Sequence, residues 1–268
     1  MKSTQGVILL IADISGYTQF IGQHQSGSHA RTIIIRLLKA LISASKPQFQ
    51  LAEIEGDAVF LYASVPEGTL EAFVSGVKQH MLDLFVCFNR EVRKLQQLQM
   101  CDCDACNGVG ELKIKQVLHQ GEVVINQIDK FEKLFGLDVI VVHRMLKNSV
   151  EASEYVMMTD PAYRSFGDFH GIEPEQRTEQ FEGIGAVETF VFYTSALLEL
   201  INRTATPEPA PIPSASARWV LKLQARSLMD YLRSRFGGPL WGNEEAPQEQ
   251  PILLSDADPT QHTSIDRP

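Results

Sequence analysis

Asp13 closes the most apolar run of the chain, residues 7–12, and is followed by Ile14, Ser15 and Gly16. Alone, such a residue reads as a turn cap, with Ser15 as the other candidate for that role. A second acidic segment changes the reading. Glu53, Glu55 and Asp57 alternate with Ala52, Ile54, Gly56 and Ala58. In a strand that runs through, the three carboxylates share one face. Like charges so close stay ionised only beside cations or water. If the two segments are neighbours in a sheet, Asp13 and Asp57 converge on a hard-oxygen site suited to Mg2+ or Mn2+. Ions of that kind acidify an attacking hydroxyl and neutralise a phosphate leaving group.

The thiols form a second group. Of four cysteines, Cys101, Cys103 and Cys106 lie within six residues, too close together for a disulfide framework. Three thiolates suit Zn2+, with Asp102, Asp104, His119 or a neighbouring subunit's cysteine as a fourth ligand. Exposed thiols open to oxidation are the other reading. Cys87 sits among Leu84, Phe85 and Phe88 and reads as a small core residue.

These residues need a frame. Residues 6–12 read as a buried strand and 28–45 as a helix stopped before Pro47. The segments 48–54 and 58–63 form a hairpin, and 66–99 a second long helix. After the cysteine segment, 111–118 and 122–128 read as a hairpin turning at His119, Gln120 and Gly121. A third helix is expected over 138–148, with strands near 155–159, 177–181 and 187–193. The order β-α-β-β-α-β is the ferredoxin-like arrangement, extended by a further β-α-β. The fold class is therefore α+β, with helices on one face of a mainly antiparallel sheet and the other face left for a ligand or a second subunit.

Nine of the thirteen prolines lie beyond Arg203, so the folded domain is assigned to residues 1–203, with a cysteine insert at 100–110. Residues 204–216, TATPEPAPIPSAS, read as an extended linker. Residues 217–236 read as a basic amphipathic helix, with Leu221, Ala225, Leu228, Met229, Leu232 and Phe236 on one face. That face packs back on the domain, self-associates, or meets a membrane surface or protein partner. Residues 237–268 are expected to be disordered. The chain has 268 residues, 44 % hydrophobic and 21 % charged, with a net charge of -9. That acidity argues against nucleic acid as a partner. No run is long enough for a secretory or membrane segment, and with clustered thiols the expected compartment is the cytoplasm.

Four motifs, in order, resemble the class III adenylyl/guanylyl cyclase catalytic domain, in a divergent bacterial-type branch. They are Ala12-Asp13-Ile14-Ser15-Gly16-Tyr17-Thr18, Glu53-Ile54-Glu55-Gly56-Asp57-Ala58, Leu118-His119-Gln120-Gly121-Glu122-Val123, and Leu134-Phe135-Gly136 through His143-Arg144-Met145-Leu146. The resemblance implies a homodimer that takes a nucleoside triphosphate and releases a cyclic nucleotide and pyrophosphate. It implies Mg2+ or Mn2+ on Asp13, Asp57 and the Ile14 carbonyl, and Arg144 as the catalytic side chain. Glu53 and Lys133 stand where the family reads the base, and are expected to approach each other across the dimer interface.

The departures matter as much. Ile140 stands where the family has a transition-state asparagine, and it can neither donate nor accept a hydrogen bond. Lys147 and Asn148 follow on Arg144's helix face, so Asn148 is expected to contact substrate in its place. Glu182 and Ile184 occupy a loop where the family places phosphate-binding lysines. The alternative implied is a silent cyclase-homology domain that binds nucleotide or metal and regulates a partner. His119 and His143 read as structural.

Overall fold

The computed structural model describes residues 4–22, 27–66, 70–97, 103–195 and 197–199. Cys101, Asp102, the stretch 204–216, the expected helix 217–236 and the tail 237–268 lie outside them. Helices α1 (Tyr17–Gly22) and α2 (Gly27–Ala44) follow strand β1 (Gln5–Ser15), and β2 (Gln50–Glu55), β3 (Ala58–Ser64) and α3 (Leu70–Gln97) come next. After the cysteine segment come α4 (Asp104–Gly108), a 3-10 turn, β4 (Lys113–Ile128), β5 (Phe131–Phe135) and α5 (Leu137–Arg144). The chain continues through β6 (Tyr155–Thr159), α6 (Asp160–Phe166), β7 (Glu175–Phe181) and β8 (Gly185–Tyr193).

The strands form one sheet in the order β2-β3-β1-β4-β6-β8-β7, with β5 paired to β4. Every pairing is antiparallel except β4 with β6. β1 is central and continuously apolar because both its faces are covered. Ile8, Leu10, Ala12 and Ile14 pack under α2 and α3, with Leu37 and Leu41 from one helix and Phe85 and Phe88 from the other. Val7, Leu9 and Ile11 point the opposite way, into a core closed by Val141, Val142 and Met145. Asp13 is the next residue of that second series, so strand alternation aims it at the α5 side of the sheet. The face expected to stand open is thus partly covered by α5. Among the described residues no helix is long and apolar enough to cross a membrane.

Two expectations need correction. His119, Gln120 and Gly121 are not a turn: they pair with Leu9, Ile8 and Val7 inside one sixteen-residue strand. The reversal comes later, at Asp129 and Lys130, where Asp129 adopts a left-handed φ of 54°. Nor do Glu53, Glu55 and Asp57 form one unbroken row. The β2 register shifts between Leu51 and Glu53, and the strand ends at Glu55. Gly56, with φ 63°, turns the chain so that Asp57 lies in the bend while Glu53 and Glu55 are exposed.

Candidate functional site

Asp13 and Asp57 are brought together by the sheet register. Asp13 pairs with Ala58 on one side and Lys115 on the other, and the Ile14 amide donates to the Asp57 carbonyl at 3.3 Å. The Lys115 ammonium lies 3.1 Å from Asp13 Oδ2. Even so, the Asp57 carboxyl is pushed up to about 6, first by burial and then by the charge of Asp13; its own backbone and Lys115 pull the other way. Lys115 therefore does not offset the cost of burying the Asp57 charge beside Asp13. Ser15 Oγ, two positions beyond Asp13, is buried with no hydrogen-bond partner among the described residues. Two hard carboxylates short of positive charge, beside an unpartnered hydroxyl, fit a divalent cation of the Mg2+ or Mn2+ type.

Glu53 and Lys133 do meet, but within one chain and not across an interface as the sequence reading had it. The Tyr62 hydroxyl of β3 donates to Glu132 of β5 and lies 2.7 Å from the Gln50 side chain of β2, fastening β5 alongside β2. Lys133 Nζ then lies 2.5 Å from Glu53 Oε2 with both side chains substantially exposed. An exposed pair of this kind contributes about 0–1 kcal/mol, so an incoming group can separate it cheaply.

Helix α5 is placed by a polar network that runs from the exposed Glu122 amide to the buried His119. Asp138, in its first turn, accepts from the Glu122 amide at 2.7 Å and contacts His119 Nε2 at 2.9 Å. His119 Nδ1 in turn meets Thr159 Oγ1 at 2.8 Å. At the far end of the helix, His143 Nδ1 lies 3.2 Å from Glu55 Oε2, and its ring sits edge-on to Phe60. Arg144 follows, with Glu182 Oε2 of the β7–β8 turn 3.9 Å away. Ile140 presents an exposed apolar side chain one turn earlier.

Asn148 does not sit as an open substrate contact. Its amide nitrogen donates to the Met145 carbonyl at 2.7 Å and to Tyr155 Oη at 2.8 Å, and its oxygen accepts from the Val150 amide at 2.9 Å. The side chain braces the turn after α5.

Among the described residues Cys103 and Cys106 come together as expected and are joined by His29, in the first turn of α2; Cys101 lies outside the described residues. His29 Nδ1 is 3.4 Å from Cys103 Sγ and 3.8 Å from Cys106 Sγ. His119, one of the fourth ligands considered, is committed to Asp138 and Thr159. Cys87 is half-buried on α3, its Sγ 3.7 Å from the Ala40 carbonyl. The sequence gives no local signal for His29, which is 74 positions from Cys103. Lys115 was legible only once the β1–β4 register was known.

A family model described as a protein of unknown function, DUF2652, matches residues 34–155. Over 154 residues the chain is 37 % identical to the uncharacterized protein Rv2561/Rv2562 of Mycobacterium tuberculosis, covering 58 % of this chain and 70 % of that one. Among solved structures, the adenylyl cyclase CyaB of P. aeruginosa superposes with a TM-score of 0.57 at 13 % identity, over 72 % of this chain and 95 % of its own. The guanylate cyclase domain of RhGC from Catenaria anguillulae, solved in complex with GTP, gives 0.52 at 17 %, over 71 % and 97 %. At such identities the likeness is one of fold.

Proposed function

We propose, for a chain that belongs to one family with the M. tuberculosis protein Rv2561/Rv2562 and has the fold of adenylyl and guanylyl cyclase domains, that it is a divergent nucleotidyl cyclase. Its substrate is a nucleoside triphosphate, and its products are a cyclic nucleotide and pyrophosphate. The 3′-hydroxyl oxygen forms a bond to the α-phosphorus, the bond to the β-phosphate oxygen breaks, and the hydroxyl proton leaves to solvent.

The observation that carries this reading is the Asp13–Asp57 pair, set at a strand end with an Asp57 carboxyl too basic for its type. The strand order β2-β3-β1-β4, antiparallel throughout, supports the ferredoxin-like reading of the core. Asp13, Asp57 and the Ile14 carbonyl would hold Mg2+ or Mn2+, which when bound supplies charge neutralisation at the triphosphate and acidifies the hydroxyl. Lys115 keeps Asp13 oriented along the strand. Glu53 and Lys133 open from their exposed pairing to meet the base, and Arg144 supplies positive charge toward phosphate. Exposed apolar side chains on β2, β5 and α5 (Ile54, Phe131, Phe135, Leu137 and Ile140) support a homodimer through that side.

A silent, ligand-binding domain is the second reading. Ile140 favours it, because loss of one positioned polar group typically costs about 10²–10³ in rate. So does Glu182, an acid beside Arg144.

The test is incubation of the full chain with Mn2+ and each of the four ribonucleoside triphosphates, with products resolved by mass spectrometry. The expected result is a cyclic nucleotide and equimolar pyrophosphate from at least one of them. Triphosphate bound without product would select the silent reading, and absence of both binding and product would overturn the two together.

A further inference from the structure

The cysteine segment supplies no group to the chemistry proposed above. α4 packs against α1, α2 and α3, so an insert between α3 and β4 reaches back to the start of the domain. Cys103 is the N-cap residue of α4 but makes no side-chain capping bond, and its sulfur turns to His29 instead. Cys106, three residues on, comes round the first helical turn to the same side. His29 Nδ1, Cys103 Sγ and Cys106 Sγ all lie within 4.8 Å of one another, and all three side chains are half-buried.

The spacing is that of a metal's coordination edge. With Zn–S near 2.3 Å and Zn–N near 2.0–2.1 Å, tetrahedral geometry separates a nitrogen from a sulfur by about 3.6 Å. The two observed separations, 3.4 and 3.8 Å, bracket that figure. One imidazole and two thiolates are a borderline-soft donor set, which favours Zn2+ over Mg2+ or Ca2+. We propose that His29, Cys103 and Cys106 form a zinc site that staples the first turn of α2 to the cysteine segment, with a fourth position for water or another donor.

The staple bears on the neighbouring loop. Glu111 and Leu112, at the end of the same segment, lie against Gly16, the residue that turns the chain after Asp13, Ile14 and Ser15 with φ 89°. Zinc at His29, Cys103 and Cys106 therefore holds, from behind, the turn that follows Asp13.

The experiment is elemental analysis of the full chain purified under reducing conditions, with Co2+ exchanged in as a spectroscopic probe. About one zinc per chain is expected, together with a thiolate-to-cobalt charge-transfer band. Cys106→Ser and His29→Ala should each weaken zinc binding by more than the roughly 10–100-fold that loss of an outer-shell partner costs. Cys87→Ser should leave both readouts unchanged. Because zinc content and the cobalt band are read on the parent protein, a variant that fails to fold does not remove the test. A parent chain that takes up no zinc or cobalt, or whose Cys103 and Cys106 titrate as a disulfide, would overturn the site. So would a parent and a His29→Ala variant that bind equally.

Discussion

Asp57→Asn is expected to abolish turnover and, in metal-free buffer, to make the protein more stable. The folded state holds the Asp57 proton up to about pH 6, against an ordinary value of 3.8. Between those values the native protein binds more protons than the unfolded chain, so stability falls as pH rises. The favourable contribution is complete below pH 3.8 and lost as pH passes 6. The displacement corresponds to about 3 kcal/mol, and solvent reaching half of the group reduces that to about 1–2 kcal/mol. An asparagine fills the same space without the charge. Thermal unfolding with chelator should therefore show Asp57→Asn above the parent by about that amount at pH 8, and the two nearly equal at pH 4. The same variant should lose at least the 10²–10³ in rate typical of removing one positioned electrostatic group. A variant no more stable than the parent at pH 8 would mean that burial and the Asp13 charge do not penalise the ionised Asp57 carboxylate.

Gly121→Ala should cost about 2–4 kcal/mol and disorder the start of α5. A Cβ at Gly121 would lie 2.2 Å from Asp138 Cγ and 2.4 Å from its Oδ2. That carboxylate cannot swing aside freely, because it holds the Glu122 amide and the buried His119. Moving it strains the β4–α5 contact and leaves His119 without one partner, each an effect of about 1–3 kcal/mol. Gly22→Ala is the control: among the described residues nothing lies within 4 Å of its Cβ position, and the change should stay within about 0.5 kcal/mol. Urea unfolding of the two variants reads the difference directly. Equal midpoints would show that the close approach of Asp138 to β4 carries no weight.

Periodicity made the long elements legible. The unbroken run in β1 matches a strand buried on both faces, and the stripes from Ile33 to Leu41 in α2 and from Val77 to Val92 in α3 each match one buried surface. Gly121 misled because glycine between polar residues is a turn signal, whereas here it makes room for a side chain arriving from α5. The true turn, at Asp129, has no glycine at all. Element order placed Asp13 near Asp57, because sheet neighbours follow from it, whereas Glu53 was placed near Lys133 only by the resemblance to the cyclase domain. It could not assign Lys133 to the same chain's Glu53, since that depends on β5 folding back beside β2. Nor could it find His29, whose partners lie beyond two helices, two strands and a loop. Asn148 shows the converse failure: helical spacing put it on Arg144's face, but the helix ends at Arg144 and the amide serves the turn that follows.

Divalent-cation binding tests the central claim most directly. Mn2+ binding would be followed by loss of the free-ion paramagnetic resonance signal, for the parent chain, Asp13→Asn and Asp57→Asn. Each would be measured with and without a nucleoside triphosphate analogue that cannot cyclise. The account predicts Mn2+ binding by the parent that strengthens with the analogue, and a loss of at least about 10-fold in either variant, worth about 1.4 kcal/mol. Equal Mn2+ binding by all three proteins would contradict it.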